Sequence, residues 1–233
     1  MNVQHAAGQR LLRLARPYLD CSNREGLAAA LQDAWSLDCL VLLLDDQDTE
    51  VALVTLVCLG LVGDESVCPA VARRLHHEDY DIVAAAEDAL WSIWFRAGGT
   101  VAQSVLYKIA RRIQANDTDD LIPVLTELIR ARPAYAEAVH QRSQAHYLAG
   151  EYDAALRDAR RTVKLNPLHF GALANQAHAL AAIGRYSDAL AAYRQVQTIH
   201  PQMPGVRAAV RCLRERLTRS PGGQAFFALT DDD

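Results

Sequence analysis

The chain has 233 residues, 51% of them hydrophobic and 22% charged, and a net charge of −4. That balance excludes a disordered polar chain and specifies a folded protein long enough for one large or two small domains. It excludes equally a strongly basic nucleic-acid binder, and no apolar run is long enough to span a bilayer.

The opening stretch, MNVQHAAGQRLLRLARPYLD, reads as an amphipathic helix and not as a leader, so the expectation is a cytoplasmic protein with no membrane partner. Cys21, Cys39, Cys58, Cys68 and Cys212 are scattered and form no C-x-x-C pair, so neither a disulfide framework nor a zinc ribbon is expected. Charge is distributed unevenly. Residues 1–98 carry seven basic and fifteen acidic side chains, net −8, and residues 99–233 carry seventeen and thirteen, net +4. The shift near Arg96–Thr100 marks a boundary, giving domains over 1–97 and 98–219 and a tail over 220–233.

In the N-terminal half, residues 42–60 align with residues 73–91 at an offset of 31, matching Leu44 with Leu75, Asp48 with Asp79, Val51 with Ile82 and Leu59 with Leu90. Each copy reads as an apolar helix, an acidic turn and a second apolar helix with Asp48 or Asp79 as its N-cap. A pair near 5–19 and 23–35 supplies an earlier unit. This rhythm resembles HEAT repeats. At its end, Trp91, Trp94 and Phe95 share a helix face and read as a bulky plug at the joint to the second array. The most ligand-like string, His76-His77-Glu78-Asp79, falls in a turn and reads as a cap, not a metal site.

The C-terminal half repeats a phrase. GEYDAALRDARRTVKLNP from Gly150 and GRYSDALAAYRQVQTIHP from Gly184 share Gly, Tyr, Ala-Leu and Pro at a spacing of 34. A period of that size means stacked helix pairs. The glycine takes a left-handed turn, the alanine lets helices approach closely and the proline stops the second helix. One period earlier, Pro133 and Leu121-Ile122 occupy the matching places and Asn116 stands for the glycine. Three repeats result, 102–135, 136–169 and 170–203, and Val206–Leu217 follows as a capping helix. These residues resemble the tetratricopeptide repeat (TPR) family, and the chain is similar to bacterial proteins of that kind. Arg142, Gln176 and His146 depart from the pattern, standing where the family packs apolar or aromatic side chains. The predicted fold class is all-α, an α-solenoid of helix-turn-helix repeats, HEAT-like and then TPR-like.

The resemblance implies a concave face lined by the first helix of each pair. Carried over residue by residue, the peptide-binding candidates are Gln103, Leu106, Glu137, His140, Gln144, Tyr147, Asn175 and His178. His140 and His178 are expected to face each other across the groove. The carboxylate clamp that some members use on chaperone C-termini is not matched, since Leu106, Ala110, Gln141, Gly171 and Asn175 stand in its places.

Phosphate-loop, nucleophile-elbow, zincin and dinucleotide motifs are absent, so no catalytic residue, metal or cofactor is expected. The expected function is a non-catalytic scaffold that binds a peptide or partner protein. Two alternatives stay open. One is a HEAT-like lyase or helper enzyme. The other is nucleic-acid binding through Arg157, Arg160, Arg161 and Lys164, and Arg207, Arg211 and Arg214, stripes that Asp158 and Glu215 interrupt. Homo-oligomerisation is also left open. Phe226, Phe227 and Leu229 in the tail read as a frayed end or a short docking motif.

Overall fold

A computed structural model describes residues 3–219. All of its regular structure is helical, and two compact units divide the chain, Met1–Gln103 and Ser104–Asp233. The tail residues Phe226, Phe227 and Leu229 lie outside the described residues.

The first unit holds α1 (Val3–Asp20), α2 (Arg24–Ala34), α3 (Leu37–Leu43), α4 (Thr49–Val62), α5 (Cys68–Ala72) and α6 (Tyr80–Arg96), with short 3-10 turns on either side of α5. Helix α4, TEVALVTLVCLGLV, is apolar on every side, which suits only a helix surrounded by others. It packs against α1, α2, α3 and α6 and buries Val51, Leu56, Cys58 and Leu59 completely. Asp48 and Asp79 start α4 and α6, each carboxylate accepting from the backbone N–H two residues on, Glu50 and Asp81. Gly60 sets the α4–α6 crossing, because a Cβ there would lie 3.2 Å from the Ala89 Cα. Arg96 ties the same pair together by donating to the Gly60 carbonyl at 2.8 Å. Trp94 and Phe95 are core residues, and Trp91 meets Trp94 edge-on with ring centroids 5.2 Å apart. No single helix among the described residues is long and apolar enough to cross a membrane.

Seven helices follow: α7 (Thr100–Gln114), which spans the division between the units, α8 (Leu121–Ala131), α9 (Ala136–Leu148), α10 (Tyr152–Leu165), α11 (Phe170–Ala182), α12 (Tyr186–Ile199) and α13 (Val206–Arg219). From α8 onward each helix packs on the next, and α9 also touches α11, so successive hairpins stack. The 34-residue period shows in the backbone. Asn116, Gly150 and Gly184 end α7, α9 and α11 at φ 56°, 76° and 80°. After each, one N–H reaches back five residues: Asp117 to the Arg112 carbonyl, Glu151 to that of His146 and Arg185 to that of Leu180. This is the Schellman stop, which satisfies a helix's last carbonyls and requires a left-handed residue. Asp120 precedes α8 in a left-handed conformation and makes no side-chain cap, while Arg112 holds the loop by pairing with Asp117 at 2.7 Å.

Candidate functional site

Helix α9 carries two different faces. From Tyr135 to Gln141 every residue is buried, and beyond that point Gln144 and Tyr147 are half-buried and Leu148 is exposed. The buried half builds a polar cluster and the open half an aromatic strip.

The cluster begins with His169, which starts α11. Its Nδ1 accepts from the Ala172 N–H at 3.1 Å. In a neutral imidazole the proton then sits on Nε2, which donates to Glu137 Oε2 at 2.9 Å. Gln141 donates to the other carboxylate oxygen at 2.7 Å. His140 packs against His169, the rings tilted by 52° with centroids 4.5 Å apart. Burial pulls both imidazoles down to about 3, and for His140 the neighbouring His169 adds to the effect. Burial pushes the Glu137 carboxyl up to about 7, against the opposing influence of His140 and Gln141. Donor atoms of Glu137, His140 and His169 all lie within 4.8 Å of one another, the spacing of a metal-ligand group. The hydrogen bonding argues otherwise. With Nδ1 engaged by an N–H donor, His169 could bind a cation through Nε2 only by losing its remaining ring proton. The arrangement is a hydrogen-bonded tie from α9 to the start of α11.

A second buried tie joins three helices. Ser143 on α9 donates to the Ala155 carbonyl of α10 at 2.7 Å and accepts from Asn175 Nδ2 of α11 at 2.6 Å. Arg142 reaches the other way. It forks onto Asp158 of α10 and also donates to Thr126 of α8 at 3.1 Å.

The open half of α9 faces α11. Tyr147 lies 5.9 Å from His178 between ring centroids, His178 lies 5.6 Å from Tyr193 and Tyr147 lies 5.5 Å from Tyr152. His178 keeps an exposed edge in this strip, and loss of hydration where Tyr147 and Tyr193 cover it lowers its pKa below the ordinary histidine value. Tyr193 is buried, which pushes its hydroxyl up to about 12.

The eight candidates therefore separate. Tyr147 and His178 meet in one strip, half-buried and exposed respectively, Gln144 stands half-buried one turn before Tyr147, and Gln103 is half-buried on α7. Leu106, Glu137, His140 and Asn175 are buried, at 0%, 1%, 0% and 6% exposure, and present nothing to a partner. His140 does not face His178; it lies against His169 inside the stack. Carrying the lining over by position assumed solvent along the whole of α9, whereas packing covers its first two turns. His169 was missed, although its place just before α11 is an N-cap position, a signal for a polar side chain turned inward. Asp158 does not interrupt an exposed basic stripe, because it is 7% exposed and paired with Arg142.

Comparison with known proteins finds similarity over about half of the chain. A family model described as the bacterial transcriptional activator domain matches residues 116–214. A TPR repeat-containing protein of Rhizobium etli is 25% identical over 53% of this chain and 61% of its own length. The small glutamine-rich tetratricopeptide repeat-containing protein 2 of Mycosarcoma maydis is 25% identical over 49% of this chain and 33% of its own. The chain thus spans less than two thirds of the curated relatives it matches. Among solved structures, the TPR2AB domain of yeast Sti1 in complex with pHSP90 aligns with 91% of this chain and 97% of that one. At 16% identity and a TM-score of 0.42, that likeness is too loose to carry an argument. The 34-residue register, its three left-handed helix stops and these relatives together mark the chain as similar to tetratricopeptide-repeat proteins.

Proposed function

We propose that the protein is a non-catalytic scaffold that holds a peptide segment of a partner protein against the open half of α9 and α11. The observation that carries this reading is the aromatic strip of Tyr147 and His178, rings 5.9 Å apart, with Gln144 one turn away to hydrogen-bond a peptide backbone. Tyrosine on a rigid helix gives large contact area at low entropic cost. The relatives named for their repeats support an interaction role.

The test is direct. Dodecapeptides selected from a displayed library on the full chain bind the wild type, and Tyr147→Ala or His178→Ala weakens them roughly tenfold or more with helicity unchanged. Equal binding by both variants removes the reading.

A second reading has one observation in its favour. With Asp158 turned inward, Arg157, Arg160 and Lys164 stand exposed on α10 with no acid among them, and Arg207, Arg211 and Arg214 stand exposed on α13. A nucleic acid held there would bind with an affinity that falls steeply as salt rises, and Arg157→Ala with Arg160→Ala would lower that slope by roughly two.

A further inference from the structure

The chemistry of the open strip narrows what it accepts. In a chain with 22% charged residues, α11 contains no Asp, Glu, Lys or Arg, and α9 contains only Glu137 and Arg142. Glu137 is 1% exposed and bound to His169 and Gln141, and Arg142 is committed to Asp158 and Thr126. Loss of hydration lowers the pKa of His178 below the ordinary histidine value and so disfavours its charged form. Among Asp, Glu, Lys and Arg, the two helices therefore offer a partner no unengaged charge.

Shape points the same way. Gln144, Tyr147 and Leu148 stand at i, i+3 and i+4 on α9, and one period later His178, Ala181 and Ala182 stand at the same offsets on α11. Tyr147 and the 42%-exposed Leu148 raise one side, while Ala181 and Ala182 keep the other low. The result is an aromatic wall beside a methyl-sized floor. A charged side chain set there would give up hydration and meet no free counter-charge from Asp, Glu, Lys or Arg on either helix.

Resting on the scaffold reading above, we infer that the strip selects an uncharged peptide segment anchored by one large apolar or aromatic side chain over Ala181 and Ala182. Backbone hydrogen bonds go to Gln144 and His178, and the anchor supplies the affinity. Acidic and basic motifs are excluded by desolvation and need no repulsive group to keep them out.

The displayed dodecapeptide library separates this inference from its parent. Selection on the full chain yields peptides with a central Leu, Phe, Tyr or Trp and no Asp, Glu, Lys or Arg beside it. Replacing that anchor by Ala lowers affinity roughly tenfold or more. Ala182→Trp fills the floor at an exposed position, keeps the helical spectrum and lowers affinity as much. Raising salt from about 50 to about 500 mM changes affinity less than about twofold. Peptides that lose affinity with Tyr147→Ala but carry acidic or basic anchors, weaken with salt or ignore Ala182→Trp overturn the inference and leave the scaffold reading standing. Peptides indifferent to Tyr147→Ala, or no selected peptide at all, overturn both.

Discussion

Arg142 and Asp158 face each other across the α9–α10 hairpin as a two-point fork, Nε to Oδ2 at 2.7 Å and Nη2 to Oδ1 at 2.8 Å, with 17% and 10% of their side chains exposed. Arg142 occupies a place where the repeat pattern packs an apolar residue, so an ion pair stands in for a hydrophobic contact. Bidentate geometry makes such a pair strong, while burial makes each half costly without the other. Arg142→Met or Asp158→Leu alone lowers unfolding free energy by about 3 kcal/mol, and the double variant recovers most of that loss. Urea titration of the four proteins closes the cycle. Single losses that simply add would show that the two side chains are not coupled.

The period of 34, the left-handed residues at Asn116, Gly150 and Gly184 and the stacked helices from α9 onward could be read from the chain, because backbone stops need particular residues at particular places. The candidate site was half legible. Repeat position names Gln144, Tyr147 and His178, and the structure leaves the first two half-buried and the third exposed. It names Glu137 and His140 too but does not show their burial, which depends on His169 folding in from 32 and 29 residues away. Asp158 was taken for a surface acid for a similar reason: a helix wheel of α10 cannot show Arg142 arriving from the preceding helix. A lone Arg in an apolar slot was the available clue, since a guanidinium enters a core only with a carboxylate.

The buried histidines set an acid limit on stability. His140 and His169 stay neutral in the folded protein down to about pH 3, but unfolded they protonate near their ordinary value of 6.5. Their contribution is complete above 6.5 and is lost as pH falls toward 3. Glu137, raised to about 7 from 4.5, acts in the opposite direction, its contribution being lost as pH rises through that window. Two histidines outweigh one carboxyl, so between about pH 4.5 and pH 6.5 these three groups together make stability rise with pH. His140→Leu, which copies the buried Leu106 of the preceding repeat, removes one titrating group. The urea midpoint of this variant falls less between about pH 7 and about pH 4.5 than that of the wild type. An identical fall in both proteins would rule out His140 as a source of acid sensitivity.

The three helix stops differ chemically while sharing a conformation. Gly184 sits at φ 80° with nothing within 4 Å of where a Cβ would be, so Gly184→Ala meets no clash and pays only for a left-handed backbone. The expected loss is about 1 kcal/mol. Asn116 already carries a side chain at φ 56°, and Asn116→Gly relieves it, raising stability by roughly 0.5 kcal/mol or less. Opposite signs at equivalent places are the diagnostic, read from paired thermal melts. A gain from Gly184→Ala would mean that the α11–α12 turn does not require a left-handed residue.

The cysteines divide by depth, and their reactivity reports on the core of the first unit. Cys58, on α4, and Cys68, on α5, are buried at 0% and 4% exposure, and loss of hydration pushes their thiols up to about 12 and about 11. Cys21, Cys39 and Cys212 are exposed. The thiolate is the attacking species, so at about pH 8 a disulfide reagent finds two thiols that are both covered and almost wholly protonated. Native protein therefore releases three equivalents promptly and denatured protein five. Val51→Ala, which opens a cavity in α4 two turns before Cys58, speeds labelling of that thiol by weakening the helix that carries it. Mass mapping of the labelled sites assigns each equivalent. Prompt native labelling of Cys58 would mean that α4 is not the enclosed centre of that unit.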